Sequence, residues 1–222
     1  STVDTISGQD TAVVLQPLKP EDFLARNAVE PNEELMQKNI KGKCVLVSGA
    51  AGSIGSELCR QIIQLKPKKL LMLDANEYGL YTIDRELKGK DLLFDVIPIL
   101  GSITNKHFVE RTFDEFSPDT ILHAAAYKHV PLVEANTLQS IENNVNGTYI
   151  LASSAVKFSV SSFTFVSTDK AVNPTSVMGA GKRLGELICR SFGQKQIKTS
   201  FSIVRFGNVL GSSGSILPLL KE

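Results

Sequence analysis

Hydrophobic and polar positions alternate along the chain in blocks of two lengths. Short apolar runs predict strands, and longer stretches with apolar residues at helical spacing predict helices. The predicted strands lie near residues 44–48, 70–74, 93–100, 119–124, 162–167 and 199–206. The predicted helices lie near residues 53–65, 77–88, 104–115, 137–158 and 178–194. Because strands separated by helices form a parallel sheet covered on both faces, the pattern predicts an α/β fold with a doubly wound, Rossmann-like sheet.

The longest of the predicted helices lies near residues 137–158. Its apolar residues recur every three or four positions, at Ile141, Val145, Tyr149, Ala152 and Val156. That spacing places them on one face of a single helix.

Residues 1–39 are predicted to form a lead segment outside the main domain, which spans residues 40–222. Pro17, Pro20 and Pro31 interrupt the lead segment. Two interpretations stay open, an arm that lies on the main domain or on a partner, and a partly disordered linker. At the other end, the glycines and proline of residues 207–222 predict a loop that leads into a new element.

Size and charge narrow the possible functions. The chain of 222 residues suits one large α/β domain, and its net charge of +1 gives no electrostatic case for nucleic-acid binding. Cys44, Cys59 and Cys189 lack the spacing of metal ligands, so no metal site is predicted and a reducing compartment is favoured. No apolar run reaches the length of a membrane span.

The chemistry begins at a glycine turn between the first predicted strand and helix. Gly49, Gly52 and Gly55 stand in the order GxxGxxG, the variant associated with short-chain dehydrogenase/reductase enzymes. Glycine permits the turn, the approach of a pyrophosphate to the backbone, and the packing of helix on strand. The helix N-terminus offers backbone N–H groups and positive potential. Asp74 ends the second predicted strand, where an acid can accept hydrogen bonds from the adenosine ribose, so the stretch predicts dinucleotide binding.

A second polar stretch, Ser167-Thr168-Asp169-Lys170, follows the fifth predicted strand. Side chains past the carboxyl end of a central strand face the ligand crevice, so this stretch can position a sugar hydroxyl and exchange protons. A solvated polar cap on the strand is the alternative.

Met178 and Lys182 stand four residues apart on the next predicted helix. Short-chain dehydrogenases have the motif Tyr-x-x-x-Lys at these positions. Since methionine accepts no proton, either the site is inactive or the proton transfers belong to Thr168, Asp169 or Lys170.

Three further stretches are candidates for ligand contact. The small residues Ala124, Ala125 and Ala126 let a cofactor approach the backbone, and Lys128 after them can neutralise a phosphate or approach a sugar hydroxyl. An isolated His129 is more often structural than a ligand. Residues 143–144 offer asparagine amides that can brace a neighbouring strand end, with a solvated face as the alternative. The amide of Asn208 lies between glycines that allow close contact with a diphosphate or sugar.

Taken together, these stretches resemble the large, usually membrane-anchored nucleoside-diphosphate-sugar 4,6-dehydratases of bacterial polysaccharide and glycan biosynthesis. These enzymes belong to the extended short-chain dehydrogenase/reductases, and the resemblance covers residues 20 to 222. Its most specific parts are residues 124–131 and 167–174, and methionine in place of tyrosine is typical of the large forms. The stretches that carry the resemblance are residues 49–55, 74–78, 123–132, 143–145, 166–178 and 205–214.

The resemblance implies dehydration of a UDP-N-acetyl-hexosamine, UDP-N-acetylglucosamine above all, by hydride transfer through a tightly held NAD. By resemblance Asp169 is the acid, Lys170 the base, Thr168 the partner of the C4 oxygen, and Lys182 the holder of the nicotinamide ribose. Lys128, Met178 and Asn208 are the implied substrate contacts. The implied cofactor contacts are Gly49, Ala51, Gly52, Ser53, Ile54, Gly55, Asp74, Ser102, Ile103, Ala124, Ala125, Ala126 and Lys182.

The chain differs from the family pattern at two positions, one where it has glycine in place of another residue and one where it has another residue in place of glycine. Gly181 stands where threonine is usual, and Ala51 places a methyl group where glycine is usual, which we expect near the pyrophosphate. Asp74 and Glu77 would repel the 2′-phosphate of NADP, which favours NAD.

The resemblance also bears on the whole protein. Family members continue past residue 222 into a sugar-nucleotide lobe and begin with membrane helices, so we expect a shortened chain, its substrate lobe largely missing, that can bind cofactor without being active. A cytoplasmic location, at the inner-membrane face in the full-length protein, and a homo-oligomer are expected. The alternatives are a sugar-nucleotide epimerase or reductase, and a non-catalytic dinucleotide-binding module.

Overall fold

The computed structural model describes residues 32–90, 92–195 and 198–209. Its centre is a six-stranded parallel sheet with the strand order β3-β2-β1-β4-β5-β6. The strands are β1 (Cys44–Ser48), β2 (Lys69–Asp74), β3 (Asp95–Leu100), β4 (Thr120–His123), β5 (Ser162–Thr168) and β6 (Ser200–Phe206). The predicted doubly wound sheet is therefore confirmed, with each strand within two residues of its predicted ends.

Helices connect the strands and cover both faces of the sheet. They are α1 (Glu33–Lys38), α2 (Ser53–Gln64), α3 (Glu77–Lys88), α4 (Lys106–Phe116), α5 (Val130–Ala135), α6 (Thr137–Ser140), α7 (Gly147–Lys157) and α8 (Val177–Lys195). A π-helical segment, Ile141–Asn146, joins α6 to α7, and a 3₁₀ turn, Asp169–Ala171, follows β5. None of the helices in these described ranges is long and apolar enough to span a membrane.

Two hydrophobic cores lie on opposite faces of the sheet, and successive residues of β1 divide between them. Val45 and Val47 pack with α2 and α3, whereas Leu46 packs with the side chains of α4, α7 and α8. All five residues of β1 are buried, as expected for a strand covered on both faces. The carboxyl ends of β1, β4 and β5 consequently meet at one edge of a rigid sheet, where ligands bind in folds of this class.

The prediction of a single continuous helix over residues 137–158 is wrong in one respect. The chain there is divided into α6, the π-helical segment and α7. A π turn closes i→i+5 hydrogen bonds, so residues on its two sides do not share one 3.6-residue period. Ile141 and Tyr149 of the predicted apolar face are 44% and 52% exposed, while Asn144 and Thr148 are buried in their place.

The last part of the predicted lead segment forms α1, and the residues after it contact the main domain. The carbonyl of Asn39 accepts a hydrogen bond of 2.6 Å from the Thr120 hydroxyl, and Ile40 packs against the core beside α2 and α3. The two interpretations of residues 1–31, and the loop predicted beyond residue 209, lie outside the described residues.

Candidate cofactor and substrate site

The glycine turn between β1 and α2 is packed so tightly that side chains are excluded from it. Gly49 has a φ of +74°, and a Cβ at this residue would lie 2.5 Å from the Ala125 backbone nitrogen. A Cβ at Gly55 would lie 1.9 Å from the Gly49 carbonyl oxygen. The turn, the start of α2 and the end of β4 therefore meet backbone to backbone. The residue at the N-cap of α2 is Gly52, and the first turn holds no acidic residue, so the positive end of this helix is open to an anion.

Asp74, at the end of β2, holds this turn from the other side. One carboxylate oxygen accepts a hydrogen bond of 2.8 Å from the Ala51 N–H, and the other accepts one of 2.8 Å from the Asn76 N–H. Each oxygen keeps a second lone pair, which a ribose hydroxyl can use.

Two cavities meet over the glycine turn and share Gly49, Gly52, Ala124, Ala126 and Tyr127. The smaller, of about 220 Å³, lies over Asp74. The larger, of about 460 Å³, extends from the N-terminus of α2 to α5 and α6. Their other lining residues of note are Ala51, Ser102, Ile103 and Ala125 in the smaller cavity, and Ser53, Ile54, Gly55, Lys128 and His129 in the larger. Together they form an elongated groove with phosphate-binding geometry at its middle.

A buried polar chain runs beneath the groove. The Thr148 hydroxyl donates to the Asn144 carbonyl at 2.7 Å, so it accepts from His123 Nε2 at 2.9 Å. His123 Nδ1 then accepts from the Ser48 hydroxyl at 2.7 Å. The network thus assigns the neutral Nε2–H tautomer. Burial, and secondarily the charge of Lys182, lower the pKa of His123 to about 3.

Asn144, on the π-helical segment, fixes the loop that follows β4. Its side-chain oxygen accepts from the Tyr127 N–H at 2.8 Å, and its side-chain nitrogen donates to the Tyr127 carbonyl at 2.9 Å. Asn144 therefore bonds to the loop beyond β4 and not to the strand end itself, and it is buried and not on a solvated face. Because Tyr127 lines both cavities, the clamp sets the position of the wall they share.

The stretch at the end of β5 forms a hydrogen-bonded cluster of the half-buried Thr168 with the exposed Asp169, Lys170 and Asn208. Asp169 Oδ1 accepts from the Thr168 hydroxyl at 2.9 Å and from Lys170 Nζ at 3.2 Å. Lys170 Nζ also donates to the Asn208 side chain at 3.0 Å. The hydrogen bond from Thr168, followed by that from Lys170, lowers the pKa of Asp169. The structure therefore brings together four predicted site residues, Thr168, Asp169, Lys170 and Asn208.

Lys182 is buried in α8 and lies beneath this cluster. Its ammonium donates to the Val166 carbonyl at 2.9 Å and lies 4.7 Å from the centre of the Phe165 ring. Burial lowers its pKa to about 8. Met178 is also buried, at 5% exposure.

Two contacts fix the first turn of α8. A Cβ at Gly179 would lie 2.4 Å from the Lys170 carbonyl oxygen, so the helix touches the backbone of the cluster. Glu134 of α5 accepts a hydrogen bond of 2.7 Å from the Val177 N–H. Since α5 also lines the larger cavity, Glu134 links that wall to the helix that carries Met178 and Lys182.

A buried carboxylate joins α8 to the ends of β5 and β6. Glu186, 1% exposed, accepts hydrogen bonds from the Ser167 hydroxyl at 2.6 Å, from Arg183 at 2.8 Å and from both Nε and Nη2 of Arg205. These bonds, chiefly those of Arg205, lower the pKa of Glu186 to about 2. Arg205 is thereby held at the end of β6, three residues before Asn208.

The predicted site residues fall into two groups. Except for Lys182, all the predicted cofactor contacts line the two cavities, as does Lys128. Among the described residues, the cavity walls do not include Thr168, Asp169, Lys170, Met178, Lys182 or Asn208, whose predicted roles stay predictions. Within the same residues, no group of three His, Cys, Asp or Glu side chains could hold a metal ion.

Sequence reasoning missed Glu134, Glu186 and the α5–α6 wall of the larger cavity. Glu134 and Glu186 stand in ordinary helical sequence, and their partners lie 43 and 19 residues away. Helix α5 has six residues, too few to show a period, and Pro131 near its start resembles a loop signal.

Comparison with known proteins gives relatives that are named polysaccharide biosynthesis proteins, UDP-N-acetylglucosamine 4,6-dehydratases and UDP-glucose 4-epimerases. The model of a family described as polysaccharide biosynthesis protein matches residues 45–222. The capsular polysaccharide biosynthesis protein CapD of Staphylococcus aureus is 44% identical over 99% of this chain and 37% of its own length. An inverting UDP-N-acetylglucosamine 4,6-dehydratase of Campylobacter jejuni is 29% identical over 82% of this chain and 53% of its own length.

A solved structure agrees with these relatives. The crystal structure of DesIV, a dTDP-glucose 4,6-dehydratase of Streptomyces venezuelae with NAD bound, matches with a TM-score of 0.65 and 25% identity. The match covers 72% of this chain and 54% of that one. The chain thus spans between about a third and about half of the length of the proteins it resembles.

Proposed function

The chain belongs to the polysaccharide biosynthesis protein family, and on that premise we propose that it is the cofactor-binding part of a nucleotide-sugar 4,6-dehydratase. The proposed reaction is the NAD-dependent conversion of a UDP-N-acetyl-hexosamine, UDP-N-acetylglucosamine in the first instance, into a 4-keto-6-deoxy sugar nucleotide. The names of the dehydratase relatives support this reaction class.

One observation carries the proposal, namely that two cavities meet over a glycine turn at the N-terminus of α2. An adenosine fits the cavity over Asp74, and a pyrophosphate fits the turn, where Gly49 and Gly52 leave the backbone bare. The larger cavity continues toward α5, with Lys128 and His129 on its wall. An elongated groove with donors at its middle is the shape that a dinucleotide requires.

NAD fits this groove better than NADP. The ribose edge presents the Asp74 carboxylate, and Glu77 begins α3 directly beyond it. A 2′-phosphate there would meet negative charge, whereas a 2′-hydroxyl can donate to Asp74. A fluorescence titration of this chain should give a Kd for NAD at least about tenfold below that for NADP. Equal affinity would contradict the assignment of the cofactor.

Bound NAD would supply the hydride acceptor and donor. In our proposal the Thr168 hydroxyl binds the sugar C4 oxygen, the Lys170 amine removes the C5 proton, and the Asp169 carboxyl protonates the departing C6 hydroxyl. In the structure Lys170 Nζ lies 3.2 Å from Asp169 Oδ1, and the hydrogen bond from Thr168 and this contact lower the pKa of the carboxyl. Passing one proton from Lys170 to Asp169 across their 3.2 Å contact produces the working acid and base without a net change of charge. Displacement of water by a sugar favours that neutral pair, because desolvation disfavours both charges.

Product analysis tests the reaction. A version of the protein extended to the length of its relatives is incubated with UDP-N-acetylglucosamine and NAD. The expected product has lost one water and carries a 4-keto-6-deoxy group, seen by mass spectrometry and NMR. A C4 epimer alone would establish the epimerase alternative instead. Met178 argues against that alternative, because epimerases and reductases of this class use a tyrosine at its position.

A non-catalytic dinucleotide-binding module is the second candidate. The buried Met178 and the mutual pairing of Asp169 with Lys170 favour it. An extended protein that binds NAD and leaves the sugar nucleotide unchanged would support this candidate and contradict the dehydratase.

A further inference from the structure

The methyl group of Ala51 lies beside Gly79 of α3. A Cβ built on Gly79 of that helix would lie 2.8 Å from the Ala51 Cβ, closer than two carbon atoms can approach. Ala51 also lines the smaller cavity, and the expectation that its methyl lies near a pyrophosphate stays a prediction. The glycine turn tolerates alanine at position 51 because the facing residue on α3 is glycine.

Gly79 closes a ring of contacts around the Asp74 carboxylate. The Ala51 N–H donates to one oxygen of Asp74, and the Asn76 N–H donates to the other, each at 2.8 Å. The Asn76 side chain in turn accepts from the Gly79 N–H at 3.0 Å and caps α3. The Gly79 Cα then packs on the Ala51 methyl. These four residues fix the turn, the carboxylate and the start of α3 relative to one another.

The backbone of Gly79 does not explain why glycine is present. Among the described residues, only Gly42 and Gly49 are glycines with positive φ. Gly79 lies inside α3, where alanine forms a helix more readily than glycine. The missing side chain is therefore needed for the contact with Ala51, not for the conformation.

We propose that Gly79 is a positioning residue of the cofactor site, which holds Ala51 and Asp74 in the geometry that receives the adenosine ribose. The proposal rests on the proposed function, because it assumes that a dinucleotide occupies the groove. A side chain at position 79 must push Ala51 or α3 aside. The Ala51 N–H then moves relative to Asp74, and the carboxylate loses one of the two bonds that orient it toward the smaller cavity.

The matched variants are Gly79→Ala and Gly89→Ala, at the two ends of the same helix. A Cβ at Gly89 finds its nearest neighbour at 3.6 Å, an ordinary contact, and its φ is −69°. Both variants are titrated with NAD and with ADP-ribose, which keeps the adenosine, the pyrophosphate and the second ribose and lacks only the nicotinamide. We expect Gly79→Ala to raise both Kd values about tenfold, as overpacking of a tight contact would, and Gly89→Ala to leave them unchanged.

The double variant Ala51→Gly with Gly79→Ala removes the methyl that the new side chain meets. It should restore both Kd values to within about twofold of the parent, a non-additive result that only a direct contact produces. Thermal unfolding of the same samples separates binding from stability.

Two results would overturn the proposal while leaving the proposed function intact. One is a Gly79→Ala chain that binds NAD as the Gly89→Ala chain does, whatever its melting temperature. The other is a double variant that binds no better than Gly79→Ala. A parent chain that binds neither NAD nor ADP-ribose would instead refute the proposed function, and this inference with it.

Discussion

Two regions of the site, the groove over the glycine turn (the proposed cofactor side) and the side-chain cluster after β5 (the proposed sugar side), are held together by different contacts. Around the glycine turn, the contacts are made by backbone groups, small residues and the buried chain through His123. After β5, the Asp169 and Lys170 side chains are 57% and 42% exposed, and they bond to each other and to Asn208. The region around the glycine turn is fixed by packing. The cluster after β5 is held by hydrogen bonds between side chains, which can exchange their partners.

This difference teaches which part of the site is preorganised. A cofactor that remains bound through a reaction benefits from a rigid receptor, since little ordering cost is paid on binding. The exposed ion pair, in contrast, contributes little to stability, because water screens it. A sugar hydroxyl can therefore displace its contacts at small cost. The comparison predicts that substitutions on the two sides separate cofactor binding from turnover.

The largest expected effect belongs to Lys170→Met in the protein extended to the length of its relatives. Loss of the proposed base should lower kcat by about 10²- to 10⁴-fold. The NAD affinity should remain within twofold, because Lys170 does not line the cavities over the glycine turn. Steady-state kinetics and an NAD titration of the same sample measure both. Lys157→Met, at an exposed lysine bonded to Glu110, is the matched control and should alter neither. Equal turnover in the two variants would remove Lys170 from the reaction.

Gly49→Ala should act on the other side, through the fold and the cofactor. Its Cβ would lie 2.5 Å from the Ala125 backbone at a φ of +74°. We expect a loss of about 3 kcal/mol in the free energy of unfolding, from strain and overpacking together, with loss of NAD binding. Gly42→Ala isolates the strain, because Gly42 has a φ of +69° and no atom within 4 Å of an added Cβ. Urea unfolding compares the two, and equal losses would show that the contact with Ala125 is unimportant.

The sequence allowed the sheet and the cofactor side to be predicted, because both depend on local signals. The alternation of short apolar runs with helices predicted the parallel, doubly wound sheet, and the glycine spacing marked the turn. The π-helical segment was not predictable, since no single-residue signal distinguishes a widened turn within a helical pattern. The Ala51 methyl packs beside Gly79, 28 positions later in α3, and the partner of Glu134 depends on the packing of α5 against α8. Such contacts between distant elements leave no periodic pattern in one sequence.

The buried chain through His123 makes the cofactor side sensitive to acid. The pKa of this histidine is about 3 in the folded protein and about 6.5 when unfolded. The unfolded chain therefore binds the extra proton between these values, and stability falls as the pH drops from 6.5 toward 3. The full slope is about 1.4 kcal/mol per pH unit. Urea unfolding at pH 6.5 and 5.0 should show this slope in the parent chain and lose it in His123→Gln. The exposed His107→Gln chain should keep it, and an unchanged slope in His123→Gln would contradict the neutral assignment.

The smallest expected effect concerns the link between the two sides. Glu134 of α5 accepts a hydrogen bond from the first N–H of α8, where a carboxylate is also favoured by the helix dipole. Glu134→Ala should cost about 1 kcal/mol in the free energy of unfolding, while Glu134→Gln keeps the acceptor and restores most of it. In the extended protein, kcat should fall about fivefold in Glu134→Ala with NAD affinity unchanged, because a shift of α8 moves Met178 and Lys182 relative to the cluster after β5. Glu142→Ala, on the exposed surface of the π-helical segment, is the control. If the two alanine variants match in kcat, α5 does not position α8 for turnover, and the two sides of the site work independently.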